Sequence, residues 1–257
     1  MKIVCGIPCV VVALLLSEIP AFAQPPANPI YIQGSVGVAT QSLKDWNDEI
    51  DEQEQLLRSA GAPVNKWDKL GAGFPVGIEL GSRISNTVSV GVALSYQKAS
   101  VNNTLGDATG SFTSGVDVSM IGWVGMLTIW TAGAPGLFLG ADGGVGFGKA
   151  RTQAHFRDSL DPTQNFDTTG EWDGKGLVAG VFGGYQHVFA AQDGAGPLVF
   201  MKFGYQFQNI GDFAGTASSS TGFSRSGPPV NSSGQPMDAD FSGLQLTAGF
   251  GFAFGGK

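Results

Sequence analysis

His155 and His187 are the only two histidines in the chain. His155 is followed by Asp158 and Ser159, the residue types of a nucleophile, its base and an orienting acid. Such a set must converge in space before it does chemistry. The spacing here is unspecific, so His155 reads as a loop histidine. A second candidate is "GGVGFGKA", Gly143–Ala150, which imitates a phosphate loop. Ala150 stands where Ser or Thr should be, and no helix follows, so the strand–loop–helix context fails. "DWNDEI" from Asp45 lacks the glycine a calcium loop needs at its sixth position. The remaining charged set is Glu79, Asp142 and Lys202, each the one charge on an inward strand face, the inward faces being mostly Gly, Ser, Thr and Gln. It reads first as a structural ion pair that neutralises buried charge; an ion constriction or gate is the alternative. These residues point to no cofactor and no metal. The chain is expected not to be an enzyme.

The elements that carry these residues follow from composition and period. The chain has 257 residues, 40 of them glycine and 18 phenylalanine, yet only 14% charged. Soluble domains average about 25% charged. No apolar run reaches the ~18–20 residues of a membrane helix. At the N-terminus, Lys2, the apolar Val10–Leu16 and Ala21-Phe22-Ala23 read as a signal peptide over residues 1–23. Cys5 and Cys9 both lie in it. The expected mature chain, 24–257, therefore has no disulfide, thiolate ligand or cysteine nucleophile.

Period-2 patterning marks eight strands: Ile30–Ala39, Leu70–Gly81, Thr87–Lys98, Gly115–Thr131, Gly136–Ala150, Lys175–Ala190, Pro197–Gly211 and Phe241–Phe254. Thr87–Lys98 sets Val88, Val90, Val92, Leu94 and Tyr96 against Ser89, Gly91, Ala93, Ser95 and Gln97. The fourth strand is apolar on both faces beyond Met120, which suggests a β-bulge near Gly122. Connections alternate between long and polar (40–69, 99–114, 151–174, 212–240) and short (82–86, 132–135, 191–196). Short turns on one side and long loops on the other are the asymmetry of a transmembrane barrel. Within the first long connection, 45–59 reads as a helix, with Ser42 and Asp45 resembling a capping box and Gly61 as its stop. Trp46, Ile50 and Leu57 share its apolar face, which could fold over a barrel mouth or into a lipid interface.

An apolar face ending in Tyr96, Trp130, Tyr185, Tyr205 and Phe254 suits lipid and its interfacial girdles. A soluble barrel would reverse the polarity, with an apolar lumen and a charged exterior. In strand number, loop asymmetry and its aromatic last strand, the stretch Ile30–Phe254 resembles the small eight-stranded outer-membrane barrels of the OmpX, OmpW and OmpA-barrel type. The resemblance implies an all-β, antiparallel up-and-down transmembrane barrel with both termini periplasmic and long loops outside. It implies outer-membrane lipid, lipopolysaccharide and the barrel-insertion machinery as partners, and a monomer. Phe250, Phe252 and Phe254 match the spacing of the insertion strand, although Gly255-Gly256-Lys257 follows them. The outer-membrane enzymes of this kind place a His with Ser, Asp or Glu near the outer leaflet, and His155 does not match their His-x-Ser strand pattern.

The expected function is a non-enzymatic structural or surface-interaction protein. A narrow conduit for small hydrophobic molecules is the alternative, supported by an apolar inward patch near Ile121–Ile129; a lipid-modifying enzyme comes third. Inward rings are expected at Tyr31, Phe138, Phe182, Phe200 and Phe241, because a barrel of eight strands is just wide enough for its own side chains. The long connections together carry net −9 against −7 for the chain, read as solvated acidic loops. An acidic chain without a basic aromatic stripe is not a nucleic-acid binder.

Overall fold

A computed structural model of the protein describes residues 30–62, 64–106, 109–132, 134–189 and 195–255. The expected signal peptide lies outside the described residues. Ten strands join one antiparallel sheet: β1 (Ile30–Ala39), β2 (Val76–Arg83), β3 (Val88–Gly106), β4 (Gly110–Trp130), β5 (Leu137–Asp158), β6 (Phe166–Val188), β7 (Ala195–Ser219), β8 (Ser224–Gly227), β9 (Ala239–Asp240) and β10 (Gly243–Phe254). Consecutive strands pair from β1 to β7. β10 then pairs with β7 on one side and β1 on the other, from Gly243↔Gln206 to Ile30↔Phe254, so the sheet closes on itself and leaves no edge there. β8 and β9 pair only with the far part of β7.

The closed sheet has two unlike ends. One holds the first residue of β1, the last of β10 and the short connections β2–β3, β4–β5 and β6–β7; it is the turn end. The other, the mouth, holds the helix α1 (Lys44–Ser59) and the far parts of the long strands. Much of what the sequence suggested were loops at the mouth is strand. β3 runs to Gly106, β5 to Asp158 and β7 to Ser219, and β3↔β4 pairing continues to Gly106↔Ser111. Their inward faces mix Val101, Leu105, Phe112 and Phe213 with Asn103, Ser114 and Gly215, which breaks the regular alternation that marks a strand in sequence.

From Val118 to Trp130 the alternation of burial along β4 is unbroken. Met120, Gly122, Met126, Thr128 and Trp130 are buried while Ile121, Trp123, Leu127 and Ile129 are exposed. Its pairing with β3 and β5 is continuous too, so there is no bulge near Gly122. The expected inward apolar patch near Ile121–Ile129 is found only in part: Val124 and Met126 line the interior, while Ile121, Trp123, Leu127 and Ile129 face out. Trp130 is an inward ring rather than a girdle residue. The register shift falls elsewhere. Asp173 pairs with Ala214 and Lys175 with Gly211, so β7 spends one residue more than β6. Asp212, with φ 48°, sits in that bulge. The inward side of β7 switches there from Ile210 to Phe213, both buried.

The second strand begins at Val76, not Leu70. Asn47 of α1 clasps the Leu70 backbone instead: its Oδ1 accepts from Leu70 N–H at 2.9 Å and its Nδ2 donates to the Leu70 carbonyl at 2.8 Å. Leu70 is thereby buried in the mouth. The expected capping box does not form either. The residue before the helix is Leu43, left-handed at φ 40°, with no side-chain cap. Its side chain is fully buried and its N–H donates to the Asp240 carbonyl at 2.8 Å. Burial of a leucine, worth about 1.5–3 kcal/mol, outweighs the ~1 kcal/mol of a cap.

Candidate functional site

The inside of the closed sheet is filled in three tiers. At the turn end Tyr31, Trp130, Phe138, Leu198 and Phe200 are all buried. Trp130 Nε1 donates to Ser89 Oγ at 2.6 Å, and the Arg83 guanidinium stands 4.2 Å over the Trp130 ring. Trp130 and Phe138 lie 5.2 Å apart, Phe138 and Phe182 6.2 Å apart edge to face. These rings fit because glycine lies under them. A Cβ at Gly81 would overlap the Tyr31 ring, and one at Gly249 would overlap Phe200 and the Gly34 carbonyl.

The middle tier is polar. Lys202 Nζ donates to Glu79 Oε2, with both side chains largely buried. The same ammonium stands 5.1 Å from the Phe182 ring and 5.3 Å from Phe200. Asp142 does not join the ion pair. Its Oδ2 accepts from Gln206 Nε2 at 2.8 Å; Gln206 Oε1 accepts from Gln208, and Gln208 Oε1 from Gln97, each at 3.4 Å. The other carboxylate oxygen, Oδ1, is buried without a hydrogen-bond partner. All three charged residues border one cavity of about 90 Å³, with Gln206, Thr247 and Ser95 also on its wall. Reading by sequence singled out the charges and missed the glutamine chain that ties one of them to the tier above. Gln97, Gln206 and Gln208 did show the signal, as amides on the polar side of alternating strands.

The mouth tier is apolar. Leu43, Trp46 and Ile50 of α1 are buried in one cluster with Val118, Met120, Trp172, Ile210, Phe213 and Phe241. Trp46 meets Phe213 edge to face at 6.4 Å. Of the two placements open to its apolar face, the helix takes the mouth. Polar contacts pin its other side: Glu49 accepts from Ser232 N–H at 3.0 Å, Glu52 from the Ser232 hydroxyl, and Asp45 from Asp238 N–H at 3.1 Å. Desolvation raises the Asp238 carboxyl above the usual carboxylate range, and the nearby charges of Asp45 and Asp212 add to the shift. Between α1 and the walls of β4 to β7 lies an open pocket of about 440 Å³, bordered by Phe112, Phe166, Trp172, Phe223 and Arg225.

His155, Asp158 and Ser159 do not assemble. Instead His155 Nδ1 and Asp167 Oδ1 are 2.6 Å apart across the β5–β6 pair, and Arg157 Nη2 donates to the same oxygen at 2.5 Å. The hydrogen bond to His155, then that to Arg157, holds the Asp167 carboxyl below its usual range. Asp158 serves its own turn, accepting from Leu160 and Asp161 N–H, while Ser159 N–H donates to the Thr109 carbonyl. His187 lies at the turn end against Phe189, 4.7 Å ring to ring. Gly143–Ala150 is entirely strand. Among the described residues, no group of three His, Cys, Asp or Glu is arranged to hold a metal ion.

On the outer surface the sheet carries an apolar belt. Along β5, Leu137, Leu139, Val145 and Phe147 are exposed, and charge begins at Lys149. Phe250, Phe252 and Phe254 belong to the same belt, each about half exposed or more. No helix among the described residues is long and apolar enough to cross a membrane, which says nothing of crossing by strands. No protein-family model and no curated protein matches the chain. Among solved structures it is similar to the outer membrane protease OmpT from Escherichia coli, at 9% identity and a TM-score of 0.33, over 92% of this chain and 99% of that one. A likeness that low leaves the reading of this chain to its own geometry.

Proposed function

We propose that the chain is a small outer-membrane β-barrel without enzymatic activity, a structural or surface-interaction protein whose eight ring strands cross the bilayer. Both termini and the turn end lie on the periplasmic side; α1 and the long strand pairs stand outside. The observation that carries this reading is the height of the belt. From Leu137 to Phe147 there are ten residue steps. At ~3.4 Å each and a tilt of ~40°, they rise about 26 Å, against the ~25 Å apolar band of a membrane barrel. Monomeric soluble proteins rarely leave so broad an apolar surface open to water. Partners on this reading are outer-membrane lipid, lipopolysaccharide and the insertion machinery, with Phe250, Phe252 and Phe254 on the strand that machinery would engage. The barrel acts as a monomer. The three tiers inside support a packed scaffold over a through-channel.

Leu160 and Asn86 give the test. Leu160 is 79% exposed at the mouth, and Asn86 is exposed in the β2–β3 turn. In whole bacteria a membrane-impermeant maleimide should label Leu160→Cys and not Asn86→Cys. Unboiled protein should migrate differently from boiled protein in SDS gels. Labelling of both sites, or a single mobility, would overturn the reading.

The mouth pocket favours one second reading, capture of small hydrophobic molecules between α1 and the β4–β7 walls. Its volume of about 440 Å³ is within the ~300–1,000 Å³ of ligand sites. Saturable binding of an apolar dye, lost in Trp172→Ala with mobility in the gel unchanged, would support it.

A further inference from the structure

The pocket under α1 is apolar within and carries unpaired donors on its wall. Phe112, Phe166 and Trp172 line it from the strands, and Ile50 lines it from the helix. Among the described residues two charged side chains border it, Glu49 and Arg225. Glu49 is fully engaged. One of its oxygens accepts from Gln53 Nε2 at 3.2 Å, the other from Ser232 N–H at 3.0 Å. Gln53 accepts in turn from the Ser114 hydroxyl at 3.2 Å. Arg225 is not engaged. It stands opposite Ala217 in the β7–β8 register, and Ala217 packs on the mouth cluster, so Arg225 shares the inner face. Among the described residues its guanidinium has no carboxylate within ion-pair distance and no hydrogen-bond acceptor. Its exposure puts it at the water-facing rim. A second donor is unpaired on the same wall: Trp46 is 2% exposed, and its Nε1–H has no acceptor. A buried N–H left without a partner is destabilising.

We infer that this pocket binds an amphiphilic carboxylate, with its head at Arg225 and its alkyl tail among Phe112, Phe166 and Trp172. The inference rests on the reading that the mouth pocket captures hydrophobic molecules, and it adds what their polar end must be. Both unpaired groups donate and neither accepts, so a matching occupant brings acceptors. An alkylammonium head would meet Arg225 with like charge. A carboxylate meets the guanidinium fork with two parallel hydrogen bonds. One guanidinium without a second cation beside it matches a singly charged head. Polarity along the pocket sets the orientation. The charge lies at the rim, where a head keeps its water; the rings lie within, where each methylene of a tail leaves water. Glu49 does not neutralise Arg225, because Gln53 and Ser232 hold it on the helix side. The segment that carries Arg225 also holds the lid, since Ser232 and Asp238 follow it in the chain and both bind α1.

The test uses the full folded chain in phosphatidylcholine nanodiscs, with a bound apolar dye as reporter. Displacement of the dye is read against free ligand, corrected for partition into empty nanodiscs. Decanoate should displace it at lower concentration than decyltrimethylammonium, and acetate in excess should not displace it. Arg225→Gln should raise the decanoate concentration required about tenfold, the size of one charge-assisted contact at an exposed rim. The same variant should lose the preference for decanoate over the alkyl cation. Arg225→Lys keeps the charge without the fork and should fall between parent and Arg225→Gln. Gel mobility without boiling reports folding for each variant. Equal displacement by decanoate and decyltrimethylammonium in the parent would overturn the inference, as would decanoate binding unchanged in Arg225→Gln. Displacement by acetate would also overturn it, by making Arg225 a site for any small anion. Absence of saturable dye binding in the parent would sink the pocket reading itself. Dye binding with no preference for the carboxylate would sink only the role of Arg225.

Discussion

Replacing Lys202 by methionine keeps the stem and removes the charge, which isolates the ion pair at the centre of the barrel. Its partner Glu79 is only 8% exposed and the side chain of Lys202 16% exposed, so solvent screens neither strongly. Breaking such a pair from one side leaves a buried charge without its counter-ion, at a cost of about 3–5 kcal/mol. The ammonium also stands over the Phe182 and Phe200 rings, contacts worth about 0.5–1 kcal/mol each. They share the same charge as the ion pair, so they do not simply add. Lys202→Met should therefore destabilise the barrel by about 3–5 kcal/mol. Removing both charges, as Glu79→Gln with Lys202→Met, should recover most of that loss, because the isolated carboxylate is gone. Urea unfolding in phosphatidylcholine vesicles, followed by tryptophan fluorescence and by loss of the fast-migrating gel band, measures both. A single variant within about 1 kcal/mol of the parent would refute the reasoning. So would a double variant as unstable as the single one. Planar-bilayer conductance on the same proteins separates a gate from a scaffold: opening of a channel in Lys202→Met would assign the pair to gating.

Ala248 faces out from β10 between Val36 and Met201; Ala248→Arg should cost about 2–4 kcal/mol in vesicle unfolding if that face meets mid-bilayer lipid, and a neutral result would place the belt in water. Trp46→Ala should unseat α1, seen as faster protease cleavage within residues 40–75, while the unboiled gel mobility persists because the ring pairings do not involve the helix. Asp238 should make that seating pH-dependent. Its carboxyl is raised in the folded protein, so the folded state takes up the proton first, and the seating should tighten as pH falls toward that raised value. Asp238→Asn should protect α1 from protease at neutral pH and flatten this response, with Asp45 and Asp212 left as the neighbouring carboxylates. Equal protection of parent and variant would remove Asp238 from the account.

The lumen pair was legible only in part. Glu79, Asp142 and Lys202 announced themselves as lone charges on inward faces of mostly small and polar residues, and all three border one cavity. That Lys202 takes Glu79 follows from the registers β7–β10, β10–β1 and β1–β2, and that Gln206 takes Asp142 from β5–β6 and β6–β7, which no local pattern contains. The helix was legible to within a residue, from its period and Gly61. Its N-terminus was misread, since burial of Leu43 against the barrel outweighs a polar cap. Trp130 was placed on the wrong face because both faces of β4 are apolar, which makes periodicity uninformative there.

What the amino-acid order determines by itself is local. Period-2 alternation sends Val88 to Tyr96 one way and Ser89 to Gln97 the other, and the uncharged alternate positions of β5 from Leu137 to Phe147 end at Lys149 whatever the fold. Those features specify strands, a belt and its border. Three others exist only after closure. The mouth-end extensions of β3 to β7 are strands because each finds a partner, and their scattered apolar residues become one inward face only when α1 caps the mouth. The bulge at Asp212 re-aims Phe213 toward Trp46, a residue far away in the chain. And the ion pairs at the belt's border arise because β5 and β6 pair in the one register that sets Lys149 and Arg151 on Glu171. Side-chain direction is a property of one strand; which charges meet is a property of two, and only the folded sheet fixes the second.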